Sequence, residues 1–418
     1  MTFANRSMRC FLQDQDDETY NALINAEIMN LRGQINDAAV CALASSLNSG
    51  KSCIIQHSRA FGSGHAIMGC ANYHARIVFS DGSPSWLIRV PRVTGFAVGF
   101  PTHLAEALIR SEYATLKFLE TTAVPAPRAF SYGIPSLSTD RDVGVCFLLM
   151  EEMPGRPWNG QGDRAKVWKG LTEILGELAR HPFPMAGSLY VDSLEDTPFV
   201  STVASDRFVV LDPWGPFGTA AAYYAGWAEQ YLALIADGQL YPQFPVEAYL
   251  VYRFLKDAGA QQLTDPTENE LFFLKHVDDK GDHLMVDDEF NITGIIDWQM
   301  ARIVPRREAF GPSLVSADMR ALCGGGNGVL GVDDVALGNA LCERRNESPN
   351  LANCLRWDDE KARRFFWGLG LEGEWKHALP LAETLLRVFG VEAGWEEWKQ
   401  KALADYGDDE RLRLLLRR

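Results

Sequence analysis

The stretch His276–Trp298, "HVDDKGDHLMVDDEFNITGIIDW", governs how the rest of the chain is read. Two short apolar runs inside it, "HLMVD" and "ITGIID", read as strands joined through Asp288–Asn291. A two-stranded turn brings its ends together, so Asp278 and Asp297 are expected to lie near one another despite their separation in sequence. Close carboxylates repel unless a proton or cation sits between them. A divalent metal carrying a phosphorylated ligand would satisfy both; a pair of solvent-facing turn acids is the alternative.

Upstream, "THLAEALIRSEYATLKFLETT" predicts a helix whose apolar stripe contains Leu104, Leu108, Leu116 and Leu119. Glu112 falls inside that stripe, and a carboxylate aimed at a core is costly unless paired. The strand-like "SWLIRVPR" offers Arg89, which alternation places on the face of Leu87 between apolar neighbours. An inward Arg and an inward Glu explain one another as a pair; the alternative is that both reach back to solvent.

Around these segments the chain changes character. Residues from Asp17 to Asn48 predict helix with Gly50 as a stop. "SCIIQHSRAF", "YHARIVFS" and "SWLIRV" predict strands, with Asp81-Gly82 as a hairpin signal between the last two. "VPAPRAFSYG" reads as an extended exit from the helix, "VGVCFLLMEEM" as an apolar strand and "PGRPW" as a linker. Beyond Trp158 the pattern is helical, from "RAKVWKGLTEILGELARH" to "EEWKQKALADYG", and "CGGGNGVLG" reads as a flexible connection. The expected division is a helical extension over 1–50, a β-rich lobe over 51–153 and a helical lobe over 154–418. That is an α+β chain organised like the two-lobed protein-kinase-like fold.

A strand cation, a helix Glu, an H-x-D loop and a second Asp after a short hairpin are the parts of a phosphoryl-transfer site. The quoted stretch resembles the aminoglycoside phosphotransferase and choline kinase superfamily, which carries H-G-D-x-x-x-x-N in its catalytic loop and I-D-W or I-D-F at its metal site. The resemblance extends over about residues 50–310. It implies ATP as phosphoryl donor, magnesium as its metal and a hydroxyl-bearing small molecule as acceptor. By position it makes Asp278 the catalytic-loop acid, braced by His276, and Asp297 the metal ligand. It implies that Arg89 contacts the α- and β-phosphates and that Glu112 holds Arg89. "IMGCANYHARIVF" is similar to the family's phosphate loop, which would lay Gly69 and Asn72 over the phosphates; "FGSGH" is a rival placement. "LLMEEM" looks like the hinge, where the backbone near Glu151 and Met153 would read the adenine edge.

Two positions depart from the family pattern. His283 stands where the family has a metal-binding Asn, and imidazole suits manganese or zinc better than magnesium. His283 would ligate a metal of altered preference, or Asp282 would replace the missing oxygen, or that second metal position would be lost; simple packing within the hairpin is a further reading. Lys280 stands two after Asp278, where protein kinases place a γ-phosphate-binding Lys. No D-F-G or A-P-E follows Asp297, which disfavours a protein kinase, and no G-x-x-x-x-G-K-[ST] is present. "LDPWGPF", around Asp212 and Trp214, reads as acceptor-pocket lining or as ordinary packing.

Composition sets the remaining bounds. The 418 residues are 47% hydrophobic and 23% charged, which is globular, and the net charge is −15. That balance disfavours nucleic acid and anionic membrane as partners and permits a cationic or amine-bearing acceptor. Eight cysteines without a C-x-x-C pair read as reduced thiols, and no apolar run reaches membrane-spanning length. A cytoplasmic location is expected. The leading expectation is an ATP-dependent small-molecule kinase. Its rivals are a weak or inactive kinase-fold protein that binds nucleotide or a partner, and a repurposed transferase of secondary metabolism.

Overall fold

Alternation in the strands after Lys51 dictates the first sheet. The computed structural model describes residues 17–58, 71–92, 101–193, 197–204, 209, 211–264, 270–346, 349–352 and 359–418. Strands β1 (Cys53–His57), β2 (Asn72–Phe79), β3 (Trp86–Pro91), β4 (Ala129–Gly133) and β5 (Phe147–Glu151) form one antiparallel sheet in the order β1-β2-β3-β5-β4. The segment expected as an extended exit therefore supplies β4, whose Tyr132 pairs with Leu148. Between β2 and β3 the Asp81-Gly82 turn is held by Ser83 N–H donating to Asp81 Oδ1 at 3.0 Å, with Gly82 at φ +76°.

Tyr73, Ala75, Ile77 and Phe79 of β2 share a face with Trp86, Ile88 and Val90 of β3. Helices α1 (Asp17–Gln34) and α2 (Asp37–Leu47) cover that face through Ile24, Ile28, Leu31, Val40 and Leu43. The stretch expected to be helical is thus two helices. Asn36 leaves the helical region and caps α2 by accepting from Ala39 N–H at 3.2 Å, which stops one helix and starts the next. Arg92 anchors α1 from just beyond β3, its guanidinium gripping both Glu27 oxygens at 2.8 Å. Helix α3 (Thr102–Leu119) packs on β4 and β5 and buries Leu104, Leu108, Glu112, Leu116 and Leu119.

The chain divides into two units. The first holds this sheet and its helices and comprises Met1–Gly155, Leu189–Phe199 and Thr293–Met300; the second comprises Arg156–Ser188, Val200–Ile292 and Ala301–Arg418. In the second, β6 (Arg156–Pro157), β7 (Phe272–Lys275), β8 (Leu284–Val286) and β10 (Arg302–Pro305) accompany a mainly helical body; β9 (Ile292–Ile295) carries the chain back into the first unit. Strands β7 and β10 pair antiparallel, Arg302 opposite Lys275, and β6 pairs with β8. Helices α4 (Arg164–Leu178), α5 (Ala220–Ala236), α6 (Pro245–Phe254), the short α7 (Arg306–Phe310), α8 (Val332–Glu343), α9 (Lys361–Trp367), α10 (Trp375–Val388) and α11 (Trp395–Asp405) follow. Their core is aromatic: Trp227 lies 4.2 Å from Tyr231 and 5.2 Å from Phe365 between ring centres, and Tyr231 stacks on Tyr252 at 4.7 Å. Residues 324–330, within "CGGGNGVLG", form no helix or strand. Among the described residues no helix is long and apolar enough to cross a membrane, and Cys41, Cys53, Cys146, Cys323 and Cys342 are free thiols.

Candidate active site

In the first unit, β3 and α3 bring the ill-fitting charges together. Arg89 is 2% exposed and Glu112 1%. Arg89 Nη1 lies 3.2 Å from Glu112 Oε1. Neither reaches solvent, so the snorkelling alternative does not hold. The other guanidinium nitrogen, Nη2, donates to Asp297 Oδ1 and, at 3.0 Å, to Gln299 Oε1. Gln299 Oε1 also accepts from Asn72 Nδ2 at 2.8 Å. One guanidinium is therefore held by two carboxylates and an amide.

Asp297 has φ +68°, a left-handed conformation that Asp tolerates better than most residues. Its side chain is 47% exposed, against 3% for Arg89. Trp298 anchors the turn behind it by donating Nε1–H to Ile295 O at 2.8 Å. With one cation between two acids, charge balance decides which acid keeps its proton. Burial raises the Glu112 carboxyl to about 7; Arg89 opposes the shift and Asp297 adds to it. For Arg89, burial works against the charged form, but Glu112 and Asp297 outweigh it and hold the guanidinium charged.

Asn72, 4% exposed, opens β2 and faces Gln299. Gly69 and the rival "FGSGH" lie outside the described residues. Glu151 ends β5, where its amide donates to Arg128 O at 2.9 Å and its carboxylate accepts from Arg128 N–H at 3.3 Å. Met153 lies over Gly294: a methyl group on that glycine would come within 2.6 Å of the Met153 terminal carbon. The glycine of "GIIDW" thus admits the Met153 side chain.

In the second unit, β7 leads directly into the H-x-D loop. His276 is 8% exposed and stacks on His283, 4.2 Å between ring centres with planes 21° apart. His283 Nδ1 accepts the Gly281 amide at 3.3 Å, and Gly281 has φ +107°, a conformation that favours glycine. His283 therefore braces the loop from within. Asp278 stands on the same loop with Lys280 Nζ 3.2 Å from its Oδ2; Lys280 also reaches Asp282 at 3.7 Å. Asp279 turns the other way, pairing with Lys275 at 3.3 Å and accepting from Leu314 N–H at 3.4 Å.

Behind this loop lies a small cavity of about 50 Å³, lined in part by Lys275, Asp279, Arg302, Glu308 and Arg363. Arg302 is 1% exposed, lies 3.5 Å from Glu308, and is stacked under Tyr223 and Phe366. Burial raises the Glu308 carboxyl against the pull of Arg302 and Lys275. In "PRREAF", Arg307 pairs with Asp359 at 2.7 Å and Arg306 lies over the Phe273 ring. Trp214 is buried beside Gly226 of α5. Among the described residues, no group of three or more His, Cys, Asp or Glu side chains is arranged to hold a metal ion.

Sequence reasoning missed Gln299 and the Lys275–Asp279 pair. Gln299 sits between Trp298 and Met300 in a short stretch with no readable periodicity, so it breaks no pattern there. The doubled aspartate of "HVDDK" is a signal for the second, since two adjacent acids facing the same way would repel one another.

A β-sheet unit with a buried Arg–Glu pair, followed by a helical unit with an H-x-D loop, defines a kinase-like phosphotransferase fold. The family model described as "Phosphotransferase enzyme family" matches residues 77–321. The chain belongs to that family. Among solved structures, it is similar to a protein assigned as an aminoglycoside phosphotransferase from Ralstonia eutropha: 14% identity, covering 88% of this chain and 99% of that one, with TM-score 0.50. A Plasmodium vivax ethanolamine kinase is 10% identical over 84% of this chain and 81% of that one, TM-score 0.43. A Streptococcus pneumoniae choline kinase is 12% identical over 87% and 98%, TM-score 0.37. At these identities the likeness concerns the fold alone. No curated protein sequence matches the chain.

Proposed function

We propose that the protein transfers the γ-phosphoryl group of ATP to a hydroxyl of a small-molecule acceptor. The observation that carries this reading is the buried Arg89 held jointly by Glu112 and Asp297. A fully buried guanidinium between two acids is poor value as a stabilising device, and it suits a cation kept in place for phosphate. Membership of the phosphotransferase family supports the same reading.

Arg89 would contact the α- and β-phosphates, with Glu112 and Gln299 fixing its direction. Asn72 would stand at the edge of the phosphate site, and the backbone near Glu151 and Met153 would read the adenine edge. Magnesium commonly takes one or two carboxylates and completes its shell with phosphate oxygens and water; the half-exposed Asp297 fits such a ligand. Bound there, a divalent ion, magnesium or manganese, would neutralise phosphate charge. Asp278 would accept or orient the acceptor hydroxyl proton, His276 would hold its loop, and Lys280 would meet the γ-phosphate. Such catalysis is mostly positioning and charge neutralisation. A cationic or amine-bearing acceptor and a cytoplasmic setting agree with the acidic, thiol-bearing composition.

A screen of phosphate transfer to amines, sugars and alcohols, run with magnesium and with manganese, tests the activity. Asp278→Asn should lower kcat by about 10²–10⁴-fold while nucleotide affinity stays within about twofold. Equal turnover by variant and parent would reject the role of Asp278. One observation favours a second reading, a weak or inactive nucleotide-binding protein: His283 spends Nδ1 on the Gly281 amide, where the family has a metal-binding Asn. Metal-dependent thermal stabilisation by ATP without any phosphorylated product would select it.

A further inference from the structure

Arg89 Nη2 has two N–H bonds, and both are used: one by Asp297, one by Gln299. A phosphate oxygen can gain that nitrogen only by displacing one of them. The two partners differ sharply. Asp297 is half-exposed on a left-handed residue. Gln299 is 4% exposed, and its oxygen is also tied to Asn72. Releasing Asp297 frees a carboxylate that is already half-exposed; moving Gln299 away would strand the buried Asn72 Nδ2 donor, which is the costlier loss.

We propose that Gln299 is a positioning residue that keeps Arg89 aimed at the triphosphate while Asp297 lets go of it. The Arg89–Asp297 contact is then a latch that nucleotide opens, and the Gln299–Asn72 link is the fixed side of the exchange. This rests on the phosphotransfer reading above. It assigns a role to a residue that touches neither acceptor nor metal and acts through Arg89.

The test is equilibrium binding of ADP in excess chelator, followed by titration of ATP with magnesium in steady-state turnover. Gln299→Met keeps the side-chain length and removes the acceptor. It should weaken metal-free ADP binding about tenfold and raise KM for ATP more than it lowers kcat. Gln299→Glu retains an acceptor for Arg89 and Asn72 but adds a carboxylate beside them, and should recover part of the affinity lost in the Met variant. Asp297→Asn, with the latch weakened, should bind metal-free ADP at least as tightly as the parent. Met and Glu variants that both bind ADP as the parent does would overturn the inference. So would equal losses in both accompanied by equal falls in melting temperature, because that is the mark of a structural role. A parent protein that binds no nucleotide would instead reject the phosphotransfer reading, and this inference with it.

Discussion

At the scale of single residues, the site is a problem in charge balance. Arg89 cannot neutralise two carboxylates, and the more deeply buried one, Glu112, yields by holding its proton up to about 7. An acid whose folded-state pKa lies above its ordinary value of 4.5 binds a proton more tightly in the folded chain. Its contribution to stability is complete below about 4.5 and is lost as pH rises through about 7. Glu112→Gln removes this dependence. Relative to the parent, the variant should gain about 2–3 kcal/mol between pH 4.5 and pH 7.5, read as the difference of two melting curves across that range. A constant difference would show that Glu112 is ionised throughout. The pair was legible in the sequence because each member violated an apolar pattern that the other repaired. Gln299 violated nothing: its value lies in two bonds made by one oxygen, to residues far away in the chain, and no local spacing encodes that.

At the scale of elements, β1 and β2 are legible because alternation survives in them, and β5 because its apolar run is continuous. What covers them is less legible. Residues 17–47 were expected as part of an extension, yet Ile24, Ile28 and Leu31 belong to the same core as Tyr73 and Ile88. Helical periodicity tells which face of α1 is apolar, not which sheet receives it. The β4 strand is hidden for a related reason, since Pro125 and Pro127 just before it mark an exit from α3 and its partner strand β5 follows only after a long connection. A polar tie between α1 and the sheet region is the Arg92–Glu27 pair, with side chains 1% and 9% exposed. Glu27→Ala leaves a buried guanidinium without its main counter-charge and should cost about 3–5 kcal/mol. The double change Glu27→Met, Arg92→Met removes both charges and should cost far less, because neither ion then has to be desolvated. Denaturant titrations of the two variants separate the outcomes, and equal losses would mean that the pair only fills space.

At the scale of the whole molecule, fold and family follow from a handful of motifs, while the acceptor follows from none of them, since a fold does not fix its substrate. What the chain does state globally is its charge, −15 in all. Such a field attracts cations and repels anions over distances comparable to the Debye length, about 10 Å at 0.1 M salt, and added salt collapses it. The two substrates of the proposed reaction should respond in opposite directions. For an amine-bearing acceptor, kcat/KM should fall about three- to tenfold as salt rises from about 20 to about 200 mM. For the anionic metal–nucleotide complex the same change should leave kcat/KM level or raise it, unless Arg89 and its neighbours dominate the local field. A neutral polyol acceptor, assayed beside the amine, should show almost no slope, and that comparison isolates electrostatic attraction from any general effect of salt on the protein. Parallel slopes for amine and polyol would mean that the acidic surface plays no part in choosing the acceptor, which would then rest on the shape and chemistry of its pocket alone.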